Sequence, residues 1–254
     1  IITGASSGIG EELAMIAAGE KRNLVLVARS QERLTALKRQ ILQQPNSASL
    51  EIETVAMDLS RRDSAKQLLA LCEKKKFFID ELINNAGFGD YGNFAKSDRE
   101  TQLGMIDLNI RTLTELTHLF LPAMVKKRTG KIMNVGSVAS FLPGPLMSVY
   151  FASKSYVLRF SEALSEELRG SGVTVTCLCP GSTKTEFGKN ARVSDTHSTA
   201  NPKTTAKEVA EFGWHHMQRG TRVAIYGLGN RVMLQFTKFV PRMLVAKLVK
   251  HIQR

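Results

Sequence analysis

Short apolar runs alternate along this chain with longer stretches of helical period, and that alternation predicts an α/β fold. Ile1 and Ile2 read as the end of a strand, followed by a glycine-rich turn and a helix carrying Ile9, Leu13 and Ile16. Residues 24–28 are apolar throughout, as expected of a strand buried on both faces. Leu34, Leu37 and Ile41 form a helical stripe that stops at Gln44-Pro45-Asn46-Ser47. A third strand alternates through Ile52, Thr54 and Ala56 toward Asp58 and Leu59, and a helix over about 62–75 turns Leu68, Leu69 and Leu71 inward. Residues 77–83 lead into a fourth strand, 131–135 form a fifth, 173–179 a sixth and 222–226 a seventh. Helices are expected over 99–124, where Gly130 ends the run, from Tyr150 to about 168, and over 205–219. No repeat, linker or low-complexity segment interrupts the pattern, so residues 1–254 read as one domain: a parallel sheet of about seven strands with helices on both faces.

Composition narrows the class of function. The 254 residues, 43% hydrophobic and 23% charged, suffice for one large core. No run reaches the ~18 apolar residues of a membrane-spanning helix. A net charge of +12 favours an anionic ligand, an anionic surface, or solubility alone. The basic residues are scattered and no recognition module is visible, so nucleic acid is not an expected partner. Cys72, Cys177 and Cys179 suit a reducing compartment, which points to the cytoplasm. Cys177 and Cys179 share a strand face without a nearby histidine and read as core; His197, His215 and His216 lack metal spacing, and no metal is expected. Because a strand usually runs about five residues, Ile1 and Ile2 imply residues upstream, and a targeting segment there stays open.

Candidate chemistry gathers at Tyr150 and Lys154, which lie four apart and project from one helix face. An ammonium near a phenol favours the phenolate, and bringing tyrosine from pH ~10 to ~7 asks for ~4 kcal/mol of electrostatic help. A phenol so tuned can give or take a proton beside a carbonyl. Near the start, Thr3-Gly-Ala-Ser-Ser-Gly-Ile-Gly10 lies between a strand and a helix. Gly4 suits a tight turn, Gly8 a close approach of backbone to pyrophosphate, and Gly10 close helix–strand packing. Free amides and the helix dipole favour phosphate there, with Ser6 and Ser7 as hydroxyl donors. Arg29, directly after the second strand, offers a planar cation suited to a 2′-phosphate, whereas an acid would suit ribose hydroxyls. Glu32 reads as a first-turn acid of a helix capped by Ser30.

Together with Asn84-Asn-Ala-Gly87, and with Ser137 thirteen residues before Tyr150, these motifs resemble the short-chain dehydrogenase/reductase family from Thr3 to about Thr185. The resemblance implies a Rossmann-type, doubly wound sheet and hydride transfer between NADP(H) and a carbonyl or secondary alcohol. Its catalytic set falls on Asn109, Ser137, Tyr150 and Lys154. Tyr150 would move the proton, Ser137 bond the carbonyl oxygen, Lys154 lower the phenol pKa and hold ribose hydroxyls, and Asn109 hold a relay water. Cofactor contacts are implied at Gly4, Ser6, Ser7, Gly8, Ile9 and Gly10, and at Arg29, Asp58 and Leu59. They continue through Asn85, Ala86 and Gly87, then Tyr150 and Lys154, and finally Pro180, Gly181, Thr183 and Thr185. Asp58 would bond the adenine amino group by resemblance, or cap the next helix by its position; Asn85 would brace neighbouring strands.

By the same resemblance Phe88, Phe141 and Tyr150, with Ser137, are the expected substrate contacts, and Phe94, Leu142, Pro143, Pro145 and Met147 extend an apolar wall. That wall suits hydrophobic ketones or alcohols. Residues 186–204 are polar and irregular, a candidate lid. Family members commonly pair, and a homodimer or homotetramer is expected through Leu113, Leu116, Leu119, Phe120, Val157, Phe160 and Leu164. Residues 229–254 form a basic amphipathic tail without an acid, with Pro241 opening a helix striped by Leu244, Val245, Leu248 and Ile252. The tail would pack on the domain or a partner, cover the pocket, or lie on an anionic membrane. The alternatives to an enzyme are a nicotinamide-binding sensor and a membrane-surface reductase of lipid-like substrates.

Overall fold

The computed structural model of the chain describes residues 1–44, 47, 49–191 and 204–253. Its first half runs β1 (Ile2–Thr3), α1 (Gly8–Gly19), β2 (Leu24–Ala28), α2 (Gln31–Leu42), β3 (Ile52–Ala56), α3 (Ser64–Lys74) and β4 (Glu81–Asn84). Next come α4 (Arg99–Ile106), a π-helical turn (Asp107–Thr112), α5 (Leu113–Lys127), β5 (Gly130–Val135), α6 (Ser148–Glu167) and β6 (Val173–Cys179). The remainder comprises β7 (Thr183–Lys184), α7 (Phe187–Asn190), β8 (Thr204–Thr205), α8 (Ala206–Gln218), β9 (Val223–Ile225), α9 (Leu228–Phe236) and α10 (Arg242–Ile252).

Seven parallel strands form the central sheet in the order β3-β2-β1-β4-β5-β6-β9. The chain winds outward in one direction from β1 and in the other from β4, which leaves a crevice at their carboxyl ends. Leu13, Leu34, Leu37 and Trp214 bury one face of the sheet under α1, α2 and α8. Leu68, Leu116 and Phe120 bury the other under α3 and α5. This is the doubly wound arrangement the alternating pattern predicts, with β9 as the seventh strand. Between the layers, Asn84 Nδ2 donates to Asn134 Oδ1 at 2.9 Å, and Asn134 Nδ2 donates to Ser161 Oγ at 2.9 Å. These bonds tie β4, β5 and α6 together.

Several expectations change in detail. The helix expected over 99–124 is broken by the π-helical turn and ends at Lys127, with Arg128 at φ 54° in the left-handed region. Gly130 therefore does not end the helix; it starts β5, where a Cβ would lie 2.7 Å from Met124. Asp58 does not cap α3, whose N-cap is Asp63; instead Asp58 Oδ1 accepts from Ser60 N–H at 3.0 Å and Ser60 Oγ at 2.7 Å. Leu113, Leu116, Phe120 and Val157, nominated for subunit pairing, are buried inside the chain's own layers. Cys177 and Cys179 are free and buried with their sulfurs 3.7 Å apart, as core residues should be. Of the candidate lid, residues 192–203 lie outside the described residues, His197 among them. No described helix is long and apolar enough to cross a membrane.

Candidate active site

The glycine turn is built from backbone that only glycine adopts at ease. Gly4 and Gly8 have φ of 66° and 59°, and a Cβ on Gly10 would stand 2.2 Å from the carbonyl oxygen of Gly4. Asn85 Nδ2 donates to the carbonyls of Thr3 at 2.9 Å and Gly4 at 3.1 Å, so the end of β4 holds the turn in shape. Thr3 Oγ1 answers by accepting from the amides of Asn85 and Ala86, each at 3.0 Å. Ser7 takes the N-cap position of α1 but makes no capping bond with its side chain. The first turn of the helix therefore opens on the crevice, beside an open cleft of about 670 Å³ lined by Ser6, Ser7, Gly8, Arg33, Thr185 and Glu186. The donors present fit a dinucleotide: a helix N-terminus, two hydroxyls and glycines with room for phosphate.

Ile9 lies in the first turn of α1 and packs on the core. Arg29 is exposed, and its charge, with that of Arg61, acts on Asp58. Burial pushes the Asp58 carboxyl up, but the bonds from Ser60 and these two cations together hold it below its ordinary value. Leu59 is buried, and its carbonyl accepts from Thr112 Oγ1 at 2.6 Å. Pro180 O accepts from Val138 N–H at 2.9 Å, Thr183 Oγ1 donates to Gly181 O at 3.0 Å, and a Cβ on Gly8 would meet Thr185 at 3.0 Å. The two halves of the sheet thus meet over the glycine turn.

At the other end of the crevice the four catalytic candidates come together. Ser137 follows β5 and caps a short 3₁₀ turn, its Oγ accepting from Ala139 N–H at 3.1 Å. It also stands close enough to the phenol of Tyr150 to draw its pKa down. Gly87 touches two of the others: a Cβ there would lie 3.0 Å from Asn109 Oδ1 and 3.5 Å from Lys154 Nζ. Asn109, in the π-helical turn, clasps the backbone of Phe88, donating to its carbonyl at 3.0 Å and accepting from its amide at 3.2 Å. Asn109 Nδ2 also donates to Ser153 Oγ at 3.1 Å.

Burial pushes the Tyr150 phenol up to about 12, and Ser137 works only partly against it. Burial brings the Lys154 ammonium down to about 8, and its Nζ donates to the Val135 carbonyl at 2.7 Å, with the Tyr150 ring centre 5.9 Å away. Lys154 is buried and Tyr150 partly buried, and loss of water around them disfavours charge on each.

The wall beside Tyr150 differs from the one expected. Leu142 and Met147 do pack with Tyr150, but Phe141 joins the cluster of Leu113, Val157 and Leu158. Phe94 is 63% exposed, and the ring of Phe88 lies against Gly104 of α4. Of the other two expected wall residues, Pro143 is exposed and Pro145 half-buried. In their place stands Phe187, whose ring centre is 5.2 Å from that of Tyr150, with Tyr91, Val245 and Val249 behind it. Tyr91 Oη donates to the carbonyl of Gln253 at 2.6 Å, so the tail closes this side. Sequence pattern gave no sign of Phe187, which sits at the edge of an irregular segment. Nor did it indicate the ion pair of Arg33 Nη1 with Glu186 at 2.6 Å across the mouth of the cleft.

The resemblance extends to known proteins. A sulfoacetaldehyde reductase of Chromohalobacter salexigens is 36% identical over 217 residues, which cover 83% of this chain and 84% of that protein. A short-chain dehydrogenase from Sphingobium yanoikuyae, solved in complex with NADPH, superposes with a TM-score of 0.80 at 31% identity, over 94% of this chain and 92% of that one. The bulky-bulky ketone specific alcohol dehydrogenase from Comamonas testosteroni superposes at 0.77 with 27% identity, over 94% and 90%. The short chain dehydrogenase family profile matches residues 1–195, which hold the glycine turn, the braced asparagines and the Ser137–Tyr150–Lys154 cluster; the chain belongs to that family.

Proposed function

We propose that this chain transfers a hydride between NADP(H) and the carbonyl or secondary alcohol of an apolar small molecule. The observation that carries the reading is the grouping of Ser137, Tyr150 and Lys154 beyond the end of β5, with Phe187, Leu142 and Met147 packed beside Tyr150. When bound, the nicotinamide supplies or takes the hydride. The protein's part is to place the carbonyl and move its proton. Tyr150, neutral across the physiological range, is ready to give its proton to an oxygen that becomes negative during reduction. Ser137 can donate to that same oxygen, a bond that strengthens as charge develops. Lys154, mostly protonated at pH 7, places a cation below the phenol. Asn109 holds the Phe88 backbone and with it the loop that borders the site. Arg29 supports NADP(H) over NAD(H), because a guanidinium matches a 2′-phosphate.

A panel of ketones and aldehydes assayed with NADPH tests this reading, with Tyr150→Phe as control. Bulky apolar ketones are expected to be reduced, and the variant to lose turnover while still binding NADPH. Turnover of small charged ketoacids alone would remove the apolar pocket from the account. A Tyr150→Phe protein that still reduces ketones would remove the proton-transfer role.

A further inference from the structure

The last two helices expose more apolar surface than they bury. On α9, Leu228, Val232, Met233 and Phe236 are 76%, 47%, 39% and 68% exposed, and by helical spacing they face away from the single buried residue, Leu234. Phe239, in the connection to α10, is 86% exposed. On α10, Val245 and Val249 pack toward Phe187 and Tyr150, while Leu244, Leu248 and Ile252 stay about half exposed along the adjoining arc. The expected single stripe is therefore divided, one part covering the pocket wall and the other facing out. Scattered apolar side chains on a surface are ordinary; this many on two consecutive helices mark an interaction face.

Charge decides what kind of partner fits. Lys238, Arg242, Lys247 and Lys250 are exposed among these apolar residues. Residues 212–254 contain no acid at all. A second copy of the chain meeting this face across a two-fold axis would bring like charges together. Anionic headgroups above an apolar layer offer the complement to both components.

We propose that α9 and α10 form a docking face for an anionic lipid surface. The apolar arc enters the headgroup boundary and the lysines and arginine meet the lipid phosphates. The proposal does not depend on the reaction assigned above, and its test reads no catalysis.

The test is co-sedimentation of the full chain with vesicles of phosphatidylcholine alone or mixed equally with phosphatidylglycerol. Binding is expected to the mixed vesicles at low salt, with little to the neutral ones and steep loss as salt rises. The combined change Lys238→Glu, Lys247→Glu and Lys250→Glu should weaken partitioning at least about a hundredfold, at about fivefold for each cation removed. Phe236→Ser, Phe239→Ser and Leu248→Ser together should also abolish it, with an unchanged melting temperature showing that the fold survives. Failure of the wild-type chain to sediment overturns the proposal, as does equal binding by the apolar triple variant. A dimer seen by light scattering and dissolved by that triple variant would assign the face to a second copy instead.

Discussion

Lys154 donates its hydrogen bond to the carbonyl of Val135 at 2.7 Å, while the ring centre of Tyr150, one turn away on the same helix, stands 5.9 Å from the ammonium. The two side chains share a helix face but not a hydrogen bond. Each carries its own cost of enclosure, which has a measurable sign.

Lys154→Met should stabilise the free protein at pH 7 while removing turnover. The folded pKa of Lys154 is lowered from 10.5 to about 8, so between those values the unfolded chain holds a proton that the folded one has released. Wild-type stability therefore rises with pH through this window, and the penalty is fully present below about 8. The advantage of the variant in chemical denaturation should shrink as pH rises from 7 to about 10. An advantage that does not vary with pH would contradict the burial of a charge.

Ser137→Ala should lower kcat by roughly 10²–10³, as loss of one donor to a developing oxyanion does. Steady-state rates at saturating ketone and NADPH check it. An unchanged kcat would show that Ser137 does not bond the reacting oxygen.

Arg29→Asp should reverse or erase a preference for NADPH, because an exposed acid repels a 2′-phosphate and accepts ribose hydroxyls. Fluorescence titration of both cofactors against both proteins measures it. Equal binding of the two cofactors by wild type would show that Arg29 does not discriminate.

Gly10→Ala should cost about 1–3 kcal/mol and most of the cofactor affinity, since its Cβ would press on Gly4 O at 2.2 Å and Asn85 Nδ2 at 2.5 Å. Gly19→Ala is the matched control at the end of the same helix, where a Cβ meets nothing within 4 Å. It should be neutral or gain up to about 1 kcal/mol. Urea denaturation of the two variants separates local overpacking from a general intolerance of alanine in α1.

The strands were legible because a sheet covered on both faces must be apolar at every position, as in the run Leu24–Ala28. The glycine turn was legible for a different reason: Gly4, Gly8 and Gly10 stand where backbone must come close, a demand that leaves few residue choices. Phe187 and the Arg33–Glu186 pair were not legible, because their roles arise between elements far apart in the chain, 153 residues for Arg33 and Glu186. The outward part of the tail was half legible. Periodicity located the stripe of Leu244, Leu248 and Ile252, but only packing could show that Val245 and Val249 take the inner side. The same limit applies to Leu113 and Val157, whose spacing fits a partner helix as well as the chain's own sheet.

The π-helical turn at Asp107–Thr112 can be read as one residue too many for an ordinary helix. An α-helix closes its bonds every fourth residue, whereas this turn closes them every fifth, so α4 and α5 are out of phase by about 100°. A single deletion inside the turn would let the helix run on regularly. Met105 would then change sides relative to Leu113, or the reverse, and the bond pair from Asn109 to Phe88 would swing away from its partner. The irregularity thus makes chain length itself part of the site: this helix tolerates substitution along its outer face far more readily than a change of one residue in its count.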